Sequence, residues 1–522
     1  MLLGRRSFIR TTASAAALAA LSRSAPLQAR GLTIDPLLDD LVERALAQAR
    51  KEGASYADVR VVRRRVESLS AREHQLLDLS FAEDYGLGVR VIVDGAWGFA
   101  ATPRMAAEPV ARAVSAAVAL ARADAKSRKR PVTLAPNPVH VDVWQTPLTK
   151  DPFQIPIEQK AELLLGVNAE ALKVKGVGFA RSDYYAIAEW KLLATSEGCY
   201  VQQQLTRVAP RFELTAVDAK RGDFETLLHP IAPRQAGWEY IEQANVRADA
   251  RKLGEQLLEK LAAPSVQPGK RELVLAPSNL WLTIHESIGH PTELDRALGY
   301  EANFAGTSFA TPDKLGKLRI AAPHLTFYAD KTTPGGLATC GYDDDGVKTQ
   351  RWDLVKDGVF VGYQTTRDQA GWIGEPASRG TCYADSYASV PFQRMPNVSL
   401  APGETPRTLE DLISGTEDGV LIIGDGTWSI DHQRFNFTFS GQLFWEIKAG
   451  KRTRMLRDVA YQANSIEFWN ACERIGDRRG FRLGGAMYDG KGQPMQFNGV
   501  SHGCPPAYFR NIQLLNTSTR GA

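Results

Sequence analysis

A chain of 522 residues, 44% hydrophobic and 23% charged, has globular composition and is too long for one core, so two or three domains are expected. It carries 63 basic and 59 acidic residues, and four of the arginines (5, 6, 10 and 23) fall within residues 1–29; the remainder is neutral and offers no global basic field for nucleic acid. No later run reaches the roughly 18 apolar residues of a membrane span, and five cysteines do not make a disulfide scaffold, although an oxidising compartment could pair two of them.

The first elements are read as an address. Gly4-Arg5-Arg6-Ser7-Phe8-Ile9-Arg10 resembles a twin-arginine export signal, and Ala13 to Leu21 forms a weakly apolar core behind it. Cleavage after Ala29 would deliver residues 30–522 to the periplasm. Cargo of that route folds before export, so a metal and a thiolate ligand can be assembled in the cytoplasm.

Asp35-Pro36 opens a helix that Gly53 closes, with an apolar stripe through Leu38, Leu41, Val42, Ala45 and Leu46. A strand is expected over Asp58–Arg65, then a hairpin of 89–93 and 96–99 around Asp94-Gly95. An Ala-rich helix over 106–123 completes an N-terminal subdomain, residues 30–125. Proline-rich, charged sequence over 126–138 is a linker.

The pattern restarts in a central subdomain, residues 139–262. A helix over 157–173 precedes strands at 178–183, 185–194, 199–208 and 212–219, and a long helix over 238–261 ends it. Residues 263–269 form a second, proline-containing linker. The rest, 270–522, reads as strand and turn except for a helix starting near Ser278, which that serine can cap, and one over 465–474. The predicted class is α+β: an N-terminal α/β half of two α+β subdomains, then a mainly β, sandwich- or barrel-like domain.

The chemistry concentrates at His285-Glu286-Ser287-Ile288-Gly289-His290. Two imidazoles can bind zinc, and the carboxylate between them can take a proton from water on the metal. Histidines five apart differ by about 140° around a regular helix of 3.6 residues per turn, against about 40° for the common i,i+4 spacing. Gly289 permits distortion and Pro291 disfavours the α region at His290, so the helix is expected to widen into a π-type turn or to end there.

A catalytic zinc needs a third protein ligand. Glu293, Asp295, Asp489, His502 and Cys504 compete for the place. Asp295 reads as a solvated loop charge. Cys504 is favoured, because thiolate suits zinc and Pro505-Pro506 fixes the backbone beside it. The other cysteines, 199, 340, 382 and 472, read as inert. Gly499-Val500-Ser501-His502-Gly503 matches a serine-hydrolase elbow, but prolines follow at once and no His, Asp or Glu comes after His502. Asp343-Asp344-Asp345-Gly346 lacks the spacing of a calcium loop and reads as a turn.

The HExxxH stretch, Gly306-Thr307-Ser308-Phe309 and the segment 484–505 together resemble the TldD/PmbA-type metallopeptidases, over about residues 55–517. The resemblance implies zinc held by His285, His290 and a C-terminal cysteine, with Glu286 as general base. In better-known members that cysteine precedes a Gly-Lys-x-Gly-Gln run. Here the run is Gly490-Lys491-Gly492-Gln493 with Asp489 before it, and Cys504 follows about a dozen residues later. The resemblance further implies hydrolysis of unfolded or flexible peptides and a homologous second subunit, in a homo- or heterodimer. A scaffold subunit of the same fold and a zinc amidase are the alternatives.

Overall fold

The computed structural model describes residues 35–518. The export-signal expectation falls on residues outside that range. Helix α1 (Pro36–Lys51) starts where Asp35 Oδ1 accepts the backbone N–H groups of Leu37 and Leu38, and ends before Gly53 in the left-handed region.

Seven strands of the N-terminal half share one sheet: β1 (Tyr56–Arg72), β2 (Gln75–Val93), β3 (Ala96–Thr102), β4 (Val141–Gln145), β5 (Val177–Thr195), β6 (Tyr200–Asp218) and β7 (Asp223–Leu228). The order is β3-β2-β1-β5-β6-β4, with β7 also on β6. Strand β1, from the first expected subdomain, pairs with β5, from the second, from Asp58↔Thr195 to Arg72↔Arg181. The strands outrun their expected lengths. β5 and β6 are each single where two were expected, and β6 passes through Pro210 at a point where neither β4 nor β7 pairs with it.

Helices cover one face of this sheet. Helices α1 and α2 (Ala107–Asp124) pack on Val59, Val61, Val89 and Val91. Helices α3 (Ile157–Ala171), α4 (Trp238–Ala244) and α5 (Val246–Ala262) pack on Leu69, Ala71, Tyr184 and Leu214. The expected helix over 238–261 is thus two, broken at Asn245, whose left-handed backbone (φ 45°) asparagine tolerates.

The other face is polar and buried against the C-terminal domain. Lys191 and Arg60 pair with Asp344, and Arg90 pairs with Asp58 and Asp345. The Asp343–Gly346 segment is a turn, as expected, but a buried one.

The C-terminal domain begins with β8 (Gly269–Leu275) and helix α6 (Pro277–Ile284). Strands β9 (Phe327–Asp330), β10 (Arg351–Lys356), β11 (Val359–Phe360) and β14 (Val398–Leu400) form a four-stranded sheet, and β12 (Cys382–Tyr383) pairs with β13 (Phe392–Gln393). Later come β15 (Asp418–Ile430), β16 (Asn436–Lys448), β17 (Lys451–Leu456), β18 (Val459–Asn464), β19 (Cys472–Ile475), β20 (Arg482–Lys491), β21 (Gln496–Cys504) and β22 (Ala507–Asn516). Strand β15 pairs with β8 on one side and with β16 on the other, so β15-β8-β22-β18-β16 close into a barrel. Helix α6 is buried from Asn279 to Ile284, its two polar side chains there satisfied by hydrogen bonds, Asn279 to the carbonyls of Gly424 and Ser440 and Thr283 with the Tyr461 hydroxyl. The β20–β21 ribbon and β14 pack beside it, and their junction is where the functional residues meet.

Candidate metal centre

The helix that carries the motif changes character at the motif. After Ile284 the backbone runs as a π turn over His285–Gly289, closed by the N–H of His290 donating to the carbonyl of His285. That i→i+5 bond stacks the two histidines as an i→i+4 bond would in a regular helix. Their rings meet edge to face, centroids 4.5 Å apart. The expected widening occurs, for a different reason from the one anticipated. Gly289 (φ −59°) and His290 (φ −62°) both keep helical backbone. A Cβ at Gly289 would stand 2.7 Å from Met395 Sδ, so the end of that flexible side chain would have to shift. Pro291 sits in the first turn of the following 3₁₀ segment, where no N–H is required. Ser278 does not cap α6; its hydroxyl accepts from the N–H of Gly424.

Hydrogen bonds fix the tautomer of each imidazole. His502 faces the carbonyl of Val398 at 2.8 Å, so its Nδ1 donates and its Nε2 is bare. His285 Nδ1 lies 2.8 Å from that Nε2 and must donate to it, which leaves His285 Nε2 bare. His290 Nδ1 lies 3.1 Å from Glu293 Oε2 and 3.3 Å from Arg296 Nη2; donation to the carboxylate, the shorter contact, leaves its Nε2 bare as well. Both lone pairs point at Asp489 Oδ1, at 3.6 and 3.7 Å.

Two bare imidazole nitrogens and a carboxylate oxygen therefore converge, the pKa of Asp489 raised by burial and opposed by the charge of Arg394. The arrangement fits a cation. Nitrogen and oxygen ligands about 2.1 Å from a tetrahedral zinc stand about 3.4 Å from one another. Among the described residues, His285, His290 and Asp489 are the one group of three His, Cys, Asp or Glu side chains gathered closely enough to hold a metal.

Asp489 reaches the site through a β-bulge. Strand β20 pairs Ala486 with Val500 and then Asp489 with Asn498, so it holds one more residue than β21 over this stretch. The bulge reverses which side chains face inward, turning Asp489 and Lys491 toward the helix. Arg394 Nη2 lies 3.4 Å from Asp489 Oδ2.

Cys504, the favoured third ligand, does not join this group. It lies two residues beyond His502 on the same face of β21, one step too far along the strand. Its thiol is wholly buried in the apolar core and approaches only the carbonyl of Pro277, at 3.6 Å. Burial raises its pKa, so the thiolate that a metal requires is disfavoured. Asp489 stands in the place proposed for Cys504.

The remaining candidates sit one layer out. Glu293 accepts from His290 and from Arg296, the latter at 2.7 Å. Burial alone would raise its pKa, yet Lys491 and Arg296 hold its carboxylate well below the usual range. Asp295 is buried rather than solvated and pairs with Lys491 at 2.8 Å. His502 orients His285. Ser501 lies within β21, its hydroxyl accepting from the N–H of Leu337, so no elbow exists.

Electrostatics suit metal binding. Burial, aided by the charge of Arg434, pushes His285 down to about 3 and His290 well below its ordinary value. Both imidazoles are neutral at neutral pH. Glu286 is raised by burial, against which Arg434 acts; its Oε2 accepts from Arg434 Nη1, and the exposed Trp428 lies close by. Arg434 and Trp428 had no signature in the sequence. The Gly306–Phe309 stretch anchors the loop beside them, with Ser308 Oγ donating to the carbonyl of Pro291 and Thr307 N–H to that of His432. A cleft of about 490 Å³ opens between the two halves, lined in part by Trp281, Asp425, Arg234 and residues 482–485 of β20. The Trp281 ring lies parallel to that of His502, with centroids 6.0 Å apart.

A buried His-His-carboxylate centre with a second, arginine-paired carboxylate, set on a π turn in a β-barrel domain, defines a metallohydrolase-type site. Three family models match in chain order: PmbA/TldA metallopeptidase domain 1 over residues 57–121, the central domain over 150–262 and the C-terminal domain over 268–515. The chain belongs to the PmbA/TldA (TldD/PmbA-type) metallopeptidase family. It is 26% identical over 470 residues to a metalloprotease of Methanothermobacter thermautotrophicus, covering 90% of this chain and 97% of that one. It is 21% identical over 477 residues to a zinc metalloprotease TldD homolog of Saccharolobus solfataricus, covering 90% and 98%. Two solved structures share its fold. One is a Thermotoga maritima protein described as a candidate modulator of a DNA gyrase (TM-score 0.70, 15% identity, 91% and 100% covered). The other is TldE of Thermococcus kodakarensis (TM-score 0.67, 18% identity, 91% and 99% covered).

Proposed function

We propose that the protein is a zinc-dependent peptidase acting on unfolded or flexible peptides, with His285, His290 and Asp489 as ligands and Glu286 as general base. The observation that carries this reading is the convergence of two bare imidazole nitrogens and a carboxylate oxygen beside a second carboxylate, Glu286, paired with Arg434. Zinc at that point would supply Lewis-acid activation of the scissile carbonyl and of water.

The chain supplies the rest. His502 and Glu293 hold the two ligand rings in the required tautomer. Glu286 Oε receives the proton from the attacking water and returns it to the leaving amine. Arg434 opposes the burial that favours the protonated form of that carboxylate. An extended substrate on this β-rich domain is consistent with strand addition; the cleft beside β20 is lined by Trp281 but by none of the three ligands or Glu286.

The relatives' names support metal-dependent proteolysis, and zinc is named for one of them. The proposal includes export through the Arg5-Arg6 signal and assembly with a second subunit of the same fold. None of the helices described is long and apolar enough to cross a membrane. The deciding experiment is hydrolysis of an unfolded protein by chelator-stripped enzyme, with products read by mass spectrometry. Activity should be absent, and one equivalent of zinc should restore it. Cleavage that persists in the stripped protein would overturn the reading.

A further inference from the structure

Strand β2 has an open edge. It pairs with β1 along its whole length, but β3 covers its other side only from Leu87 onward. The eleven residues Gln75–Tyr85 are all exposed. At about 3.4 Å per residue they present roughly 37 Å of unpaired backbone. Among them are Leu76, Leu77, Leu79 and Phe81, the last two 46% and 60% exposed.

Sheets that stay monomeric protect such an edge with lysine, proline, shortness or strong bulging. This stretch has no lysine and no proline, and its one register shift lies close to the tip, opposite Ser70-Ala71. Leu79 and Phe81 stand beside Leu69 and Glu67. Those two β1 side chains are buried, Leu69 in the core that helix α3 covers and Glu67 against Lys160 of that helix. The apolar layer thus continues one strand beyond the helices that cover it.

We propose that this edge is an interface between two copies of the chain, joined antiparallel about a two-fold axis through Leu79. The sequence is self-complementary about that residue. Leu79 faces Leu79 and Leu77 faces Phe81 on both sides of the axis. Asp78 meets Ser80, Glu83 meets Gln75 and Asp84 meets His74, so no carboxylate opposes another. Neighbouring axes are worse: centring on Asp78 sets it against itself and Glu73 against Glu83, centring on Phe81 sets Asp78 against Asp84, and centring on Ser80 sets Leu77 against Glu83. Such pairing is isologous and closes at two subunits. The inference gives a surface to the assembly part of the proposed function and rests on none of its chemistry.

Light scattering on the full chain tests it. A particle of twice the 57.3 kDa chain mass is expected at tens of micromolar. Leu79→Arg with Phe81→Asp should give monomers with an unchanged melting temperature. Should that variant fail to fold, Leu79→Cys supplies the answer: mild oxidation should link two chains through residue 79, whereas Asp84→Cys should not link. A monomeric wild type, a dimeric double variant or linkage at 84 in place of 79 overturns the interface. Hydrolysis is scored separately: a monomer that cleaves peptide removes this surface alone, and a dimer that cleaves nothing removes the peptidase reading alone.

Discussion

Arg434 reaches Glu286 from a backbone that few arginines adopt. Its φ of 61° is left-handed, and from there Nη1 donates to Glu286 Oε2 while Nη2 donates to the carbonyl of Ala305 at 3.1 Å. A side chain in that region costs about 1–2 kcal/mol, and such strain gathers at functional sites.

The charge should set the working pH of the base. Glu286 is already raised by burial, with Arg434 opposing. Arg434→Gly removes the opposition and relieves the backbone, so the pKa of Glu286 should rise further. The acid limb of kcat/KM should then move to higher pH and activity at neutral pH should fall, while the buried carboxylate left without its partner lowers the melting temperature. An unmoved acid limb would separate Arg434 from the base.

Glu286 itself should be dispensable for metal. Glu286→Gln is expected to keep stoichiometric zinc and to lose at least about 10²-fold in hydrolysis, the lower range for a general acid–base group. Metal analysis beside a peptide assay checks both halves. Zinc lost together with activity would make the residue a ligand.

The third ligand can be decided by two single changes. Asp489→Ala should strip zinc during dialysis against a weak chelator, and Cys504→Ser should leave the content at wild type. Asp489→Cys should retain zinc through a softer donor. Retention of zinc in Asp489→Ala would return the search to the surrounding carboxylates.

His502 should matter through His285. Removing it leaves His285 Nδ1 without its acceptor, and loss of such a partner typically costs 10–100-fold in metal affinity. His502→Ala is expected to show that loss in a competition titration, with little change in kcat once zinc saturates the site. Unchanged affinity would make the imidazole chain merely structural.

Export is tested at the other end of the molecule. Replacing Arg5 and Arg6 together by lysine should leave the protein in the cytoplasm, measured by cell fractionation. Continued periplasmic accumulation would dismiss the signal.

What the sequence disclosed follows from how local each signal is. The histidine–glutamate–histidine triplet was legible because its members lie within six residues of one another, and the capped helix at Asp35 and the Asp94-Gly95 hairpin were legible because their signals are equally local. Asp489 was visible only as a rival, because its aim depends on one extra residue in β20 relative to β21. Cys504 looked better by donor chemistry, and strand phase sets it apart from the group: on one face of β21, His502 meets His285 and Cys504 meets Pro277. Arg434 was silent, since a lone arginine in a turn 148 residues from its partner has no periodicity to betray it. The tip of the β1–β2 hairpin was missed because the alternation that marks a half-buried strand is absent where β2 is wholly exposed.

The i→i+5 bond between His285 and His290 also bears on how such centres are found and how they diverge. A helix that absorbs an additional residue by loosening a single turn passes no displacement on to the side chains above and below it. The interval between two coordinating histidines is then elastic by one position, at the cost of one local rearrangement. A search keyed to a fixed count of intervening residues passes over chains of this kind. One keyed to the turn would group the four-residue and five-residue spacings as versions of a single device, interconvertible by one insertion within an otherwise unaltered scaffold.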